Sequence, residues 1–137
     1  MDYEGKIQNS LNYIEDNLCE KMKLIEIAKQ SYFSEYYFHK LFRNIVGTTV
    51  MDYIRKRRLT EAAKDLVKTN EQITEIAFKY QFSSGESFSR AFKRMYGMSP
   101  RKYRNTAETE YSHNRRMYSK YAKKSSRCGG TVLSLAA

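Results

Sequence analysis

The middle of this chain repeats itself, and that constrains its fold more than any single motif does. Ile27-Ala28 recurs as Ile76-Ala77, an offset of 49 residues. Past Ser34 the offset is 50, so that Phe38 matches Phe88, Phe42 matches Phe92, Gly47 matches Gly97 and Tyr53 matches Tyr103, with one residue inserted at the second turn. A repeat of this length means that one supersecondary unit is used twice. Each copy reads as a short helix, a turn, a second helix and a closing glycine. In the first copy Leu24, Ile27 and Ala28 form the apolar side of the short helix, and the second helix runs from about Ser34 to Ile45. In the second copy Ile73, Ile76 and Ala77 do the same, and Ser83 or Ser84 N-caps a helix reaching about Met95. Gly47 and Gly97 stand where helices end in a left-handed cap.

The two second helices divide their faces alike. Phe38, Leu41, Phe42 and Ile45 fall at i, i+3, i+4 and i+7, one stripe to bury, and Phe88, Ala91, Phe92 and Met95 are its counterpart. On the opposite side Tyr36, His39, Lys40 and Arg43 make a polar stripe, answered fifty residues later by Glu86, Ser89, Arg90 and Lys93. Between the copies a continuous helix is expected over 49–68, opened by Thr49-x-x-Asp52 as a capping box. Its apolar positions change side: at 100° per residue, Val50, Tyr53 and Ile54 centre opposite Leu59, Ala62, Ala63 and Leu66. That suits a connector serving two bodies. A first helix over about Lys6 to Leu18 buries Ile7, Leu11, Ile14 and Leu18, and Ser99-Pro100 opens a short last helix through Tyr103. The expected fold is all-α, about seven helices in two helix-turn-helix subdomains (about 6–47 and 70–104) joined by the long linker helix, within a domain of residues 1–105 followed by a tail, 106–137.

The net charge of +10 points to a polyanionic partner. The tail alone does not supply it: the chain through Asn105 has 19 basic and 13 acidic residues, the remainder six and two. With 41% hydrophobic and 14% aromatic residues there is material for a core. Cys19 and Cys128 lie far apart without metal-ligand spacing, which reads as free thiols in a reducing compartment. No signal peptide and no apolar run of the ~20 residues that cross a bilayer is present, giving a cytoplasmic expectation without membrane contact. An enzyme is disfavoured: His39 and His113 have no evident nucleophile or metal constellation beside them, there is no glycine-rich phosphate loop, and no cofactor is implied.

Three segments together resemble the AraC/XylS transcription regulators, especially their small MarA/SoxS/Rob-like members. These are Ile73-Thr-Glu-Ile-Ala-Phe-Lys-Tyr-Gln-Phe82, Phe88-Ser-Arg-Ala-Phe-Lys93 and Gly97-Met-Ser-Pro-Arg-Lys-Tyr-Arg104, with the resemblance spanning about Ile7 to Arg104. It implies a module whose two recognition helices enter successive major-groove segments of double-stranded DNA. It also implies a monomer on an asymmetric site, activating transcription through contact with RNA polymerase. On matching positions the base-reading candidates are Tyr36, His39 and Lys40 in the first unit and Gly85, Glu86, Ser87, Ser89 and Arg90 in the second. Arg43, Lys93 and Arg94 are the phosphate candidates.

The sequence departs from the family pattern in places. The turn residue before Phe33 and Phe82, often glycine in relatives, is Tyr32 and Gln81, so a left-handed backbone there would be strained and the turns could follow another path. Glu86 stands where relatives often have an amide, shifting the expected preference from adenine toward cytosine N4. Other readings stay open. Phe38, Phe42, Phe88 and Phe92 have the spacing of a core rather than of base-stacking platforms. His39 is a base contact or a solvated surface residue. Arg55-Lys56-Arg57-Arg58 is read as a solvated face ahead of a phosphate contact. Tyr111, Tyr118 and Tyr121 with Arg115, Arg116, Lys123 and Lys124 could form a basic helix, a DNA-contacting tail or the start of a further domain. The competing functions are a charge-driven nonspecific nucleic-acid binder and the DNA-binding part of a larger ligand-responsive regulator.

Overall fold

The computed structural model describes the backbone of residues 2–113 and side chains through residue 107. Among the described residues there are seven α-helices and no strand: α1 Tyr3–Asp16, α2 Leu24–Lys29, α3 Glu35–Val46, α4 Val50–Lys68, α5 Ile73–Lys79, α6 Gly85–Tyr96 and α7 Pro100–His113. The chain divides into two compact units between Arg57 and Arg58, so α4 begins in one and ends in the other. The expected two-sidedness of α4 is realised. Val50 and Ile54 join Ile7, Ile14, Ile27, Phe38 and Phe42 in the first unit's core, while Leu59, Ala62, Ala63 and Leu66 are buried in the second half.

Local chemistry sets the helix ends. Asp2 caps α1 by accepting from the Gly5 N–H at 2.9 Å, which starts the helix three residues before the expected Lys6. Ser34 accepts from the Tyr37 N–H at the head of α3. At α6, Ser84 and Ser87 form a reciprocal capping box. Gly47 and Gly97 take the left-handed conformation after α3 and α6, at φ 94° and 79°. At α4 only half the expected box is used: Thr49 accepts from the Asp52 N–H, while the Asp52 carboxylate pairs with Arg55 at 2.8 Å.

Both helix-turn-helix turns are Schellman motifs. The Phe33 N–H reaches the Ala28 carbonyl and the Tyr32 N–H that of Lys29; the Phe82 and Gln81 N–H groups do the same to Ala77 and Phe78. That closure requires a left-handed residue, and Tyr32 (φ 59°) and Gln81 (φ 67°) adopt it without being glycine. Each turn is held closed by these two bonds with its left-handed residue in place. Tyr32→Gly is expected to raise stability by about 0.5–1 kcal/mol, the left-handed penalty of an L residue less glycine's greater entropy loss, since the Tyr32 side chain is 88% exposed. Urea denaturation would measure it, and a destabilised variant would show that glycine's entropy loss outweighs the strain.

The duplication reaches one helix further than the sequence pattern indicates. Ile7, Ser10 and Ile14 of α1 are buried, as are Leu59, Ala62 and Leu66 of α4 at an offset of 52. The offset then falls to 49 because residues 17–23 link α1 to α2 whereas only 69–72 link α4 to α5. The inserted residue is Ser83, which separates Phe82 from the N-cap Ser84.

Four expectations need correction. Ile45 and Met95, assigned to the buried stripes, are each 42% exposed, because the last turn of α3 and of α6 runs past the core that holds the phenylalanines. The last helix does not stop at Tyr103 but continues to His113, with no proline or glycine to break it and with Ala107 buried. Arg57 and Arg58 are not a solvated face. Arg57 forms a bidentate pair with Glu15 at 2.8–3.1 Å, and burial holds the Arg58 guanidinium below its usual pKa. Cys19 is disulfide-bonded rather than a free thiol. Cys128 and the tail side chains singled out in the sequence lie outside the described residues.

Candidate nucleic-acid interface

Each unit presents one helix as a two-faced body. On α3, Phe38 and Phe42 are fully buried while Tyr36 is 73% exposed, and Lys40 and Arg43 are exposed beside it. The Lys40 ammonium lies 5.1 Å from the centre of the Tyr36 ring, so the two side chains form one cation–π ledge. His39 is half-buried at its edge. On α6, Phe88 and Phe92 are fully buried, while Glu86, Arg90, Lys93 and Arg94 are exposed and Ser89 half-buried. From residue 38 to 50 and from 88 to 100 the sequence of buried, half-buried and exposed positions is identical.

The structure therefore groups Tyr36, His39, Lys40 and Arg43 on one helix, and Glu86, Ser89, Arg90, Lys93 and Arg94 on the other. Gly85 and Ser87 sit in the first turn of α6, but the Ser87 hydroxyl is engaged: it donates to the Ser84 carbonyl at 2.9 Å and accepts from the Ser84 N–H at 3.2 Å. Gly85 leaves the head of α6 without a side chain, where a Cβ would lie in ordinary contact with Thr74. Both helices place an acidic residue in the first turn and basic ones in the last, in accord with the helix dipole.

Sequence reasoning missed the groups that hold these helices in place. In the second unit Asp65, nearly buried, accepts from the Tyr80 hydroxyl at 2.7 Å and pairs with Lys79 at 2.7 Å; Lys79 also reaches Glu71 at 3.1 Å. Burial, and then the Asp65 charge, push the Tyr80 phenol far above its ordinary pKa, so it serves as a permanent donor. The signal was present: Asp65 stands three residues after Ala62, inside the apolar stripe of α4. Arg104 donates to the Leu66 and Thr69 carbonyls at 2.8 and 3.4 Å, capping the end of α4 from α7. In the first unit, the Ser31 hydroxyl donates to the Lys6 carbonyl at 2.7 Å and ties the turn before α3 to α1.

No helix among the described residues is long and apolar enough to cross a membrane. A helix-turn-helix domain family matches residues 27–106, more than half of the chain. A transcriptional regulator of Bacillus subtilis, YbfP, is 45% identical over 104 residues, covering 76% of this chain and 35% of that protein. The transcriptional activator AarP of Providencia stuartii is 43% identical over 106 residues, covering 77% of this chain and 78% of AarP. This chain thus spans about a third of one relative and most of the other. Among solved structures, a regulator of Chromobacterium violaceum described by its AraC-type DNA-binding domain superposes with a TM-score of 0.72 at 27% identity, covering 76% of this chain and 93% of its own. These are DNA-binding regulators rather than enzymes, and the chain belongs to the AraC/XylS family of helix-turn-helix transcription regulators, with a DNA-binding domain of the MarA and Rob type.

Proposed function

We propose that this regulator reads one asymmetric site on double-stranded DNA as a monomer, with α3 and α6 in successive major-groove segments, and activates transcription by contacting RNA polymerase. The observation that carries the reading is the matched pair of helices, each with buried phenylalanines on one face and an exposed polar and basic stripe on the other. A helix of ~10–12 Å diameter fits the ~12 Å major groove, where every base pair presents a distinct donor and acceptor pattern. The base readers are Tyr36, His39, Lys40, Gly85, Glu86, Ser87, Ser89 and Arg90. Ser87 acts through the cap it builds, and Gly85 lets the DNA approach the helix head. Arg43, Lys93 and Arg94 neutralise phosphate, which adds affinity without sequence information. Activation rests on the likeness to AarP, named as an activator. The same module within a longer ligand-responsive regulator is the second reading, favoured by the greater length of the Bacillus relative.

Selection of bound duplexes from a random library tests this. The expected result is one asymmetric site with two clusters of preferred base pairs about one helical turn apart. Arg90→Ala should lower affinity by about 1–3 kcal/mol and erase the preference for guanine at one position. Lys93→Ala and Arg94→Ala should each lower the salt slope by about one, equally on all sequences. An Arg90→Ala variant that keeps the parental preference everywhere removes Arg90 from the readout. A parent protein that enriches no sequence favours the nonspecific polyanion binder.

A further inference from the structure

The aromatic side chain that stands furthest out from the first unit is held on a backbone that L residues rarely adopt. Tyr32 is 88% exposed, ahead of Tyr36 at 73%, and sits at φ 59°. Its side chain makes no hydrogen bond or ring contact with the other described residues. Glycine would relieve the left-handed strain and forfeit no contact within the fold. Folding therefore does not account for a tyrosine here, and a strained residue that the fold does not need calls for a use outside it.

The turn that carries Tyr32 is fixed on both sides of it. Ser31, fully buried, donates its hydroxyl to the Lys6 carbonyl at 2.7 Å. Phe33 packs against the core, with Tyr3 stacked on it at 6.1 Å, Tyr37 edge-on at 5.0 Å and the Lys6 ammonium 5.0 Å from the centre of its ring. Between these two anchors only the side-chain torsions of Tyr32 are left to be ordered when it meets a partner. The second unit does not repeat the device. Gln81 shares the left-handed backbone at φ 67°, but it is half-buried and engaged within the chain. Tyr32, Tyr36 and Tyr37 at the head of α3 answer to Gln81, Glu86 and Ser87 at the head of α6, so this aromatic head belongs to the first unit alone.

Tyr32 stands two residues before the N-cap Ser34, and Tyr36 opens the exposed stripe of α3 four residues further on. In a helix-turn-helix unit the N-terminal residues of the second helix meet the base edges. The turn leading into that helix then lies at the wall of the groove, along which a strand backbone runs. A tyrosine suits that place, because its hydroxyl can donate to a phosphate oxygen while its ring covers a deoxyribose. We propose that Tyr32 is a DNA-backbone contact of the first unit, donating its hydroxyl to a phosphate at the edge of the groove that α3 enters. This rests on the reading of α3 as a groove-entering helix. The contact adds affinity without base information and, being uncharged, displaces no counterion.

The test compares the full chain with Tyr32→Phe and Tyr32→Gly on a duplex selected by the parent and on an unrelated duplex, over a series of salt concentrations. Tyr32→Phe should bind both duplexes about three- to tenfold more weakly, the worth of one neutral hydrogen bond, with an unchanged salt slope. Tyr32→Gly should lose at least as much affinity while unfolding at a higher urea concentration, a divergence that a merely structural role does not produce. Phosphate-ethylation interference on the selected duplex should show one phosphate whose ethylation weakens the parent but not Tyr32→Phe. Parental affinity for Tyr32→Phe, or identical interference patterns, overturns the contact. Loss of preference at one base pair in place of a uniform loss makes Tyr32 a base reader and also overturns it. Tyr32→Phe keeps the parental backbone and decides alone if the glycine variant proves less stable. A parent chain that binds duplexes without preference counts against sequence reading, yet a uniform loss in Tyr32→Phe would still uphold the phosphate contact; a parent that binds no duplex overturns both.

Discussion

Asp65→Ala is expected to destabilise the protein by about 3–5 kcal/mol, as removal of one member of a buried charged network generally does. Asp65 is 5% exposed and is the common partner of the Tyr80 hydroxyl and the Lys79 ammonium, each at 2.7 Å. Without it Tyr80, itself 4% exposed, has lost the acceptor that its buried hydroxyl uses. Lys79 loses its 2.7 Å partner and keeps the Glu71 contact at 3.1 Å. Since Lys79 ends α5 and Tyr80 opens the turn, the damage falls on the element that sets the angle between α5 and α6. Asp65→Asn keeps an acceptor while deleting the charge and should lose distinctly less. Urea denaturation followed by circular dichroism measures both. A loss below about 1 kcal/mol for the alanine variant would mean that water replaces the carboxylate and that the network is dispensable.

Phe92→Ala should have an effect of the same size, about 3–5 kcal/mol, for a different reason. The ring is fully buried and touches Phe88 at 5.7 Å, Tyr96 at 4.5 Å and Tyr103 at 5.3 Å between centres, so truncation opens a cavity among rings that cannot collapse onto it. The experiment also separates the two roles open to these phenylalanines. Phe38, Phe42, Phe88 and Phe92 are all fully buried, and a ring with no exposed face offers no stacking platform to a base. A Phe92→Ala protein that melts like the parent but binds single strands less tightly would reverse that assignment. Leu at this position, which restores part of the volume, should recover part of the lost stability.

What could be read in advance was whatever a helix decides within a turn or two of itself. The caps at Ser84 and Ser99, the left-handed glycines, and the opposition of Phe38 and Phe42 to Tyr36 and Lys40 are matters of three or four residues. They therefore survive translation from spacing to structure. The sequence pattern carries the last helix only through Tyr103, whereas α7 runs to His113 because no proline or glycine stops it. The repeat is legible from Leu24 onward but not in α1, since Ile7, Ser10 and Ile14 share burial, not residue type, with Leu59, Ala62 and Leu66.

The amino-acid sequence by itself determined the helices, the repeat from Leu24 onward and the opposed buried and exposed sides of α3 and α6 at Phe38, Phe42, Phe88 and Phe92, because period, capping and turn chemistry act over short stretches of chain. Only the tertiary structure decided which charges are withdrawn from water and where packing stays incomplete. Glu15 meets Arg57 across 42 residues, Arg104 meets Leu66 across 38, and Asp65 meets Tyr80 across 15. A hollow beside Ala63 depends in the same way on Tyr96 and Tyr103 arriving from later helices. A desolvation penalty and a void are properties of what surrounds a residue, and those surroundings are assembled from parts of the chain that carry no local sign of one another.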